Sequence, residues 1–218
     1  MATAKHQRVA LAVCLLFIAP GCGDETGDEP PVVNPSYYTL GGSPACGTVL
    51  GSWNGTSAYS NGQNTGTGWS CGGTGAYGYQ YQCVELVMRH FKINWGVSWT
   101  VGYAKYTLDK APSSTVETYK NGDAAHPPVP GDMLVWGDGT YGHVALITEV
   151  TASSVKVLEQ NVKGGGTATF TYDGKTVGGR WGGWRPLGWA HAKANKSAPP
   201  KKKVACKFYK QNPSGQKK

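Results

Sequence analysis

The spacing of apolar residues changes once along this chain, and that change restricts the possible fold more than any other feature. From Cys83 to about Ile93, apolar residues recur at helical intervals. Further along, the segments DMLVWGD, GHVALITEV and SVKVLEQNV are rich in Val, Ile and Leu or alternate between apolar and polar residues, which is typical of strands. A helix followed by an antiparallel sheet predicts an α+β domain.

The remaining elements of the body are less regular. Residues 37–80 are rich in glycine and predict long loops, with a short strand at GTVLGSW. A second, weaker helix is expected at Ala104–Ala111 or at Thr115–Lys120. The segment GGGTATFTYDGKTVGGRWGG predicts a further hairpin.

The first 21 residues predict a signal peptide. Two basic residues precede the apolar run VALAVCLLFI, which is too short to span a membrane comfortably. The small residues of APGC then lead to Cys22, in a pattern similar to the lipobox of bacterial lipoproteins. We therefore expect Cys22 to carry a lipid anchor. A plain secretory signal is the alternative.

The two ends of the mature chain differ in charge. Residues 22–36 are acidic and contain prolines, which predicts a disordered tether. Residues 193–218 carry nine lysines and no acid, and subtracting them from the net charge of +8 leaves −1 for the rest of the chain. A cationic tail favours contact with an anionic polymer or surface. No nucleic-acid motif accompanies it, so no nucleic-acid partner is expected. Residues 37–192 remain as one domain.

Four cysteines lie beyond the signal peptide and the expected lipidation site. An exported protein favours disulfides. Cys46 and Cys71 both lie in the glycine-rich region and are the predicted pair. Cys83 is expected to stay free if it reacts. Cys206, in the lysine-rich tail, has no assigned role.

Cys83 stands where the predicted helix begins, and a helix start makes a thiol more reactive. The partial positive charge and free N–H groups there, together with an imidazole, lower a cysteine pKa below its free value of about 8.5. His143 opens a predicted strand and is the candidate base, with Gly142 leaving room for a substrate backbone. Glu159 and Asn161 lie two positions apart in the next strand, on one face, where they are candidates to orient the imidazole.

Each of these residues alone has a plainer interpretation. A cysteine at a helix start is more often a buried structural thiol, a histidine that opens a strand is more often at the surface, and Glu159 in VLEQN fits a solvent-facing position. The order Cys, His, Glu in this structural context is what indicates a cysteine-dependent hydrolase.

Strand parity connects His143 with Glu159. In an antiparallel pair, the residue numbers of each opposed couple add to a constant, and opposed residues share a face. His143 faces Glu159 and Asn161 if that sum is even, for example 302 or 304. The four-residue loop TASS gives 305 and would turn Glu159 away. We therefore predict a loop with an odd number of residues between the two strands.

Three blocks of this sequence resemble the signature blocks of the CHAP family, the cysteine, histidine-dependent amidohydrolases/peptidases. They are YQCVELVMRHF, PVPGDMLVWGDGTYGHVALITEV and VLEQNV. GTVLG followed by AYSNG is also similar to the opening of the amidase domain of glutathionylspermidine synthetase/amidase. The resemblance spans about residues 46–191, although the glycine-rich loop with its two cysteines departs from it.

The resemblance implies a papain-like fold, with an N-terminal catalytic helix packed on an antiparallel sheet. It also implies Cys83 as nucleophile, His143 as base and Glu159 as the third member of the site, with Asn161 in support. The backbone N–H of Cys83 would be one donor to the oxyanion. No cofactor or metal is expected.

Together these patterns predict a monomeric, exported amidohydrolase, lipid-anchored in the bacterial cell envelope, that cleaves amide bonds in peptidoglycan peptides. One alternative is an amidase for a small conjugate similar to glutathionylspermidine, against which the exported location argues. Another is a catalytically silent wall-binding lipoprotein, whose lysine tail and the tryptophans of RWGGWRPLGWAH bind the wall. The complete Cys, His and Glu set argues against that second alternative.

Overall fold

A computed structural model describes residues 44–62, 71–162, 165–180 and 183–199. The predicted signal peptide, linker and most of the lysine tail lie outside these ranges. The described elements follow one another as β1 (Val49–Trp53), β2 (Thr56–Tyr59), β3 (Thr74–Gly75), β4 (Gly78–Tyr79), α1 (Cys83–Trp95), a 3-10 turn (Ala104–Tyr106), β5 (Val116–Lys120), β6 (Met133–Trp136), β7 (His143–Val150), β8 (Ser154–Glu159), β9 (Gly166–Thr171) and β10 (Pro186–Ala192).

Six strands form one antiparallel sheet, in the order β5-β10-β6-β7-β8-β9. The order places β6, β7 and β8, which the sequence predicts, side by side in the sheet. Since one α-helix precedes this sheet, the fold class is α+β, as predicted.

The sheet is buried on both faces, and alternate residues of β7 show this most clearly. Val144 and Leu146 belong to a core cluster with residues of α1 such as Leu86 and Phe91. Ala145 and Ile147, which alternate with them, point to the other face and pack in a second cluster that includes both Trp136 and Trp189. Burial on both faces explains the nearly continuous apolar sequence of β7.

Helix α1 is held to the sheet by its apolar side and ends at a glycine. Gly96 adopts a left-handed conformation (φ 71°), its N–H donates to the carbonyl of Lys92, and the N–H of Val97 donates to that of Phe91. These bonds satisfy carbonyls that the last turn leaves free. The helix therefore runs two residues beyond the predicted end at Ile93. Within the described residues, no helix has the length and apolar character needed to cross a membrane.

One sequence prediction of secondary structure is wrong, and one strand was missed. The second helix does not form: Ala104–Tyr106 is a single 3-10 turn, and most of the segment Thr115–Lys120 is the edge strand β5. The strand β10 was not predicted, because Pro186 and Gly188 obscure its pattern. A register shift lies between these two residues, and a Cβ on Gly188 would lie 1.9 Å from the carbonyl oxygen of Tyr119. Only glycine permits that approach.

The glycine-rich front of the domain forms two small hairpins, β1-β2 and β3-β4. A disulfide joins Cys46, just before β1, to Cys71, which begins the segment leading to α1. This is the pair that the sequence predicts. At the other end, Asn195 is buried and donates to the carbonyl of Pro130 (3.0 Å). Contacts with the domain therefore continue past the predicted boundary at residue 192.

Judged by the strand register, the prediction of an odd number of residues between the last paired residues of β7 and β8 is wrong, and a β-bulge brings His143 and Glu159 to one face instead. Next to the turn, Val150 pairs with Val155, which gives the sum 305 expected for the TASS loop. The Thr151 hydroxyl accepts hydrogen bonds from the N–H groups of Ser153 and Ser154 and thereby stabilises this four-residue turn.

The bulge then changes the register before the strands reach His143. Between Ile147 and Glu149, β7 contains one residue more than β8, so Ile147 pairs with Val157 and the sum becomes 304. Continued to the start of β7, this register sets His143 opposite Asn161, with Glu159 diagonal. All three residues therefore share a face.

We predict that deletion of Thr148 is tolerated. Without it, Ile147 and Glu149 become neighbours and still pair with Val157 and Lys156, so the ladder becomes regular and both ends keep their register. A crystal structure of the variant should show His143 still beside Glu159. Deletion of Ala145, on the other side of the bulge, should instead turn His143 away from Glu159. A Thr148 deletion that folds but separates the two side chains would contradict this account.

Candidate active site

Cys83 is the first residue of α1 and is buried. The preceding Gln82 is extended and its side chain does not cap the first N–H groups of the helix. Gln160 fixes this entry point, since its Nε2 donates to the carbonyl of Gln82 (2.8 Å). A thiol in this position feels the positive end of the helix dipole.

His143 is positioned by a tight turn before β7. Gly142 has φ 69°, and a Cβ there would lie 2.5 Å from the carbonyl oxygen of Trp136 and 2.7 Å from the backbone nitrogen of Lys105. The expectation that Gly142 leaves room for substrate therefore needs correction, because neighbouring backbone fills that space. Glycine is required here to let the chain turn into His143.

Glu159 lies at the end of β8 and is 3% exposed. Its Oε2 lies 3.1 Å from Nε2 of His143, close enough to accept a hydrogen bond. Since Nε2 is used in this way, Nδ1 is the ring nitrogen that remains for Cys83. Thiol, imidazole and carboxylate thus form a continuous chain of hydrogen-bonded groups.

The environment favours charge separation between thiol and imidazole. Burial raises the pKa of Cys83, but the hydrogen bond and positive charge of His143, with backbone hydrogen bonds from Val144 and Val84, bring it below its ordinary value. Burial lowers the pKa of His143, but hydrogen bonds and charges of Cys83 and Glu159 outweigh it and raise the pKa to about 9. Both shifts favour transfer of the Cys83 proton to His143, which leaves a thiolate beside an imidazolium.

Asn161 is brought into the same site, in a left-handed conformation (φ 57°) and lining the cleft described below. Its amide nitrogen donates to the side chain of Gln82, and its oxygen accepts from Asn61. These bonds connect Asn161 with the chain that enters α1. They suit a residue that holds Cys83 in place rather than one that reacts.

Sequence reasoning missed Arg180, which lies in the segment before β10. Its guanidinium is buried and forms an ion pair with Oε2 of Glu159. In the sequence, Arg180 belongs to GGRWGG, where no spacing links it to the candidate site. The available signal was chemical: a carboxylate buried beside His143 needs a compensating charge.

Sequence reasoning also missed a network around the first turn of α1. Glu85 is buried, pairs with Arg89 (2.7 Å) and accepts a hydrogen bond from Nε2 of Gln160 (2.7 Å). The oxygen of Gln160 accepts from the backbone N–H of Tyr59 in β2 (2.9 Å). One buried amide thus connects β2, β8 and the start of α1.

The thiol of Cys83 faces a cleft of about 740 Å³. Aromatic residues line much of it, and three of them are largely exposed: Tyr79 (63%), Tyr103 (43%) and Tyr141 (45%). Among the described lining residues, Glu85 is the one carboxylate, and it is buried and paired. The wall of the cleft is therefore aromatic and nearly uncharged.

The other described histidines lie away from this chain of groups. His90 is buried against Thr56 (2.8 Å), and burial together with the charge of Arg89 lowers its pKa to about 4. His191 pairs with the buried Asp132 (2.7 Å). Within the described ranges, no group of three or more His, Cys, Asp or Glu side chains is arranged to hold a metal ion.

Comparison with known protein families identifies the segment that contains these groups. The model of the CHAP domain matches residues 72–161. This segment is similar to the CHAP domain. The match confirms the resemblance predicted from the sequence and supports the predicted class of enzyme, a hydrolase. It includes Cys83, His143, Glu159 and Asn161, whereas Arg180 and both disulfide cysteines lie outside it.

Two curated relatives each match a part of the chain. Glutathionylspermidine synthase of Crithidia fasciculata is 35% identical over 97 residues, which are 38% of this chain and 14% of the relative. Bifunctional glutathionylspermidine synthetase/amidase of Escherichia coli (strain K12) is 30% identical over 98 residues, 39% of this chain and 16% of the relative. The chain thus spans only about a sixth of the length of these relatives.

Two solved structures show weaker likeness. The endolysin LysIME-EF1 is 19% identical with a TM-score of 0.39, over 57% of this chain and 58% of that chain. Ly7917 is 17% identical with a TM-score of 0.37, over 59% of this chain and 58% of that chain. The assignment of the CHAP domain does not depend on either.

We predict that Cys83 is alkylated by iodoacetamide at neutral pH and that His143→Ala suppresses this reaction. The substitution removes the hydrogen bond and charge of His143, the largest causes that lower the pKa of Cys83, and leaves the burial that raises it, so thiolate becomes scarcer. The rate at pH 7 should fall about tenfold or more. Peptide mass spectrometry that follows Cys83 alone provides the measurement.

The control is His126→Ala, because His126 is an exposed histidine paired with Asp123. It should react like the wild type. An unchanged rate in His143→Ala would mean that the imidazole does not activate this thiol.

Proposed function

We propose that this chain is an exported cysteine amidohydrolase that cleaves amide bonds in peptidoglycan peptides through Cys83, His143 and Glu159. One observation carries the proposal: a buried thiol at a helix start adjoins an imidazole whose other nitrogen is held by a buried carboxylate. The proposal includes a papain-like arrangement, with α1 as the catalytic helix. The CHAP domain favours this chemistry, because its family cleaves amide bonds, most often in peptidoglycan.

Acylation begins from the thiolate–imidazolium pair. The sulfur of Cys83 attacks the carbonyl carbon of the scissile amide, and the carbonyl oxygen becomes an oxyanion that accepts from the free N–H of Cys83. His143 then gives its proton to the amide nitrogen. The C–N bond breaks, the amine leaves, and the acyl group remains on sulfur as a thioester.

Deacylation reverses the role of the imidazole. Neutral His143 takes a proton from water as the water oxygen attacks the thioester carbon. The C–S bond breaks, the carboxylic acid product leaves, and the thiolate–imidazolium pair is restored. Glu159 keeps its bond to Nε2 throughout, so that Nδ1 faces the reacting atoms in both steps.

The cleft favours a peptide of the cell wall over a polyamine conjugate. A polyamine is strongly cationic and would require counter-charges, yet the one carboxylate among the described lining residues, Glu85, is already paired with Arg89. Exposed tyrosines suit neutral peptide and sugar groups instead.

The curated relatives support a second candidate function. One of them is named as a glutathionylspermidine synthetase/amidase. In this alternative, the same chemistry acts on a small conjugate. Glutathionylspermidine therefore belongs in the test as a competing substrate.

We predict that purified wall is hydrolysed by the wild type and not by Cys83→Ala. Loss of the nucleophile should lower the rate by about 10⁴-fold or more. Mass spectrometry of the products should detect new amine and carboxyl groups in peptides, without new reducing sugar ends. Parallel assays with glutathionylspermidine separate the two candidate functions.

The control is thermal denaturation of Cys83→Ala, which should melt close to the wild type because only one sulfur atom is removed. Wall hydrolysis retained by a folded Cys83→Ala variant would end the proposal of a cysteine nucleophile. Hydrolysis of the conjugate alone would favour the second candidate.

The location in the envelope is also a proposal. It is supported by the signal-like residues 1–21, by the lipobox-like sequence before Cys22 and by the lysines of residues 193–218. The lipid would hold the enzyme at the membrane, and the cationic tail would add affinity for anionic wall polymers.

We predict that Cys22→Ser moves the protein from the membrane fraction to the soluble fraction, since the lipid can no longer be attached. Labelling with radioactive palmitate and cell fractionation measure this change. Retention of label in the variant would contradict an anchor at Cys22.

A variant that ends at Ser197 is the matched control for the tail. It should remain with the membrane but leave isolated wall at lower salt than the full chain, because fewer cations contact the wall polymer. Equal salt dependence would show that the tail does not bind the wall.

A further inference from the structure

We propose that Arg180 is a positioning residue of the hydrolytic site, whose charge compensates Glu159 and sets the pH range in which Cys83 and His143 form their ion pair. This inference rests on the proposed function of Cys83 and His143 and adds a residue to it. Arg180 lies outside residues 72–161, the part of the chain that matches the CHAP domain.

Arg180 and His143 share one carboxylate oxygen of Glu159. Oε2 of Glu159 accepts a hydrogen bond from Nε2 of His143 (3.1 Å) and also from Nη2 of Arg180. The side chains of Arg180 and Glu159 are each 3% exposed, so water does little to screen the pair. Any change in the charge of Arg180 therefore acts on the atom that holds the imidazole.

Aromatic rings enclose the guanidinium of Arg180. Its central carbon lies 5.0 Å from the ring centre of Trp136 and 5.1 Å from that of Phe170. The ring of Trp136 also lies 5.6 Å from that of His143. A planar, delocalised cation is suited to such a pocket, where a lysine ammonium would lose more hydration.

Arg180 also balances the net charge of the buried site. In the reactive state, the thiolate of Cys83, the imidazolium of His143, the carboxylate of Glu159 and the guanidinium of Arg180 add to zero. Without Arg180, the buried site carries one net negative charge. Every proton of the site is then bound more tightly, both the proton that converts thiolate to thiol and the proton that the imidazolium must give away.

The surrounding elements bring few other charges to this site. Helix α1 contributes Cys83, β8 contributes Glu159, and β6 and β9 contribute the uncharged Trp136 and Phe170. Glu85, also on α1, is directed to Arg89 and Gln160 instead. Among the described residues, Arg180 is thus the cation in contact with Glu159 besides His143.

The loss of Arg180 should slow the reaction because of the proton that His143 must give away. His143 donates to the leaving amine, so an imidazolium that holds its proton too tightly slows the collapse of the intermediate. A thiol that ionises only at higher pH leaves fewer molecules ready to attack. Arg180 opposes both effects through Glu159, without contact with the reacting atoms.

The experiment compares the pH dependence of Cys83 alkylation by iodoacetamide in the wild type and in Arg180→Met. Methionine keeps an apolar chain between Trp136 and Phe170 but removes the charge. The midpoint of thiolate formation should move upward by about one pH unit, so that alkylation below the midpoint is about tenfold slower. Wall hydrolysis should show both limbs of its pH profile displaced to higher pH.

Two variants serve as controls. Arg180→Lys keeps the charge, so its midpoint should stay close to that of the wild type even if hydrolysis slows. Arg185→Met removes an exposed arginine five residues away and should change nothing. A folded Arg180→Met protein with an unshifted midpoint would overturn the inference and leave Arg180 as packing only.

Alkylation needs no substrate, so this test can fail independently of the proposed function. If Cys83→Ala still hydrolysed wall, the proposed function would fall. If alkylation were independent of Arg180 while hydrolysis depended on Cys83, only the inference about Arg180 would fall.

A second comparison covers the case in which Arg180→Met does not fold. Glu159→Gln removes the carboxylate charge beside Arg180, whereas Glu159→Gln with Arg180→Met removes both charges of the buried pair. The double variant should melt about 5 °C above Glu159→Gln. An equal or lower melting temperature would show that charge compensation is not what couples the two residues, and would overturn the inference.

Discussion

The hydrogen bond between His143 and Glu159 is the contact on which the rest of the site depends. It fixes which ring nitrogen faces Cys83, and it supports the positive charge of an imidazole that is itself buried. Burial alone would lower the pKa of His143, yet the charges and hydrogen bonds of its two partners raise it to about 9. Because a buried charge is costly without a partner, the imidazolium form of His143 is favoured there only beside the carboxylate and the thiolate.

The hydrogen bond in turn depends on the register of β7 and β8. A four-residue turn stabilised by Thr151 gives a register that would point Glu159 away from His143, and the bulge at Thr148 changes that register by one residue. The four-residue turn requires an odd sum of paired residue numbers, whereas the site requires an even sum. The bulge satisfies both, because it lies between the turn and the site.

The sequence predicted the parts of the fold that repeat with a period. Helix α1 and strands β6 to β8 follow from apolar spacing, and Cys83, His143 and Glu159 follow from their positions at the ends of those elements. The parts it did not predict depend on contacts between distant segments. Strand β10 is interrupted by Pro186 and Gly188, the bulge at Thr148 leaves no mark in the apolar pattern, and Arg180 reaches Glu159 only through the fold.

The first hairpin, β1-β2, lies outside the CHAP match and still contacts the residues that position the site. Gln160 is fully buried, and its amide accepts from the N–H of Tyr59 in β2 while donating to the carbonyl of Gln82 and to Glu85. A buried amide that lost one of these partners would cost about 1–3 kcal/mol, so the three elements tend to move together. The position of Cys83 is therefore set from both sides: by the sheet through Gln160 and Asn161, and by the first hairpin through Tyr59. This coupling gives the disulfide-bonded front of the domain a direct mechanical connection to the thiol.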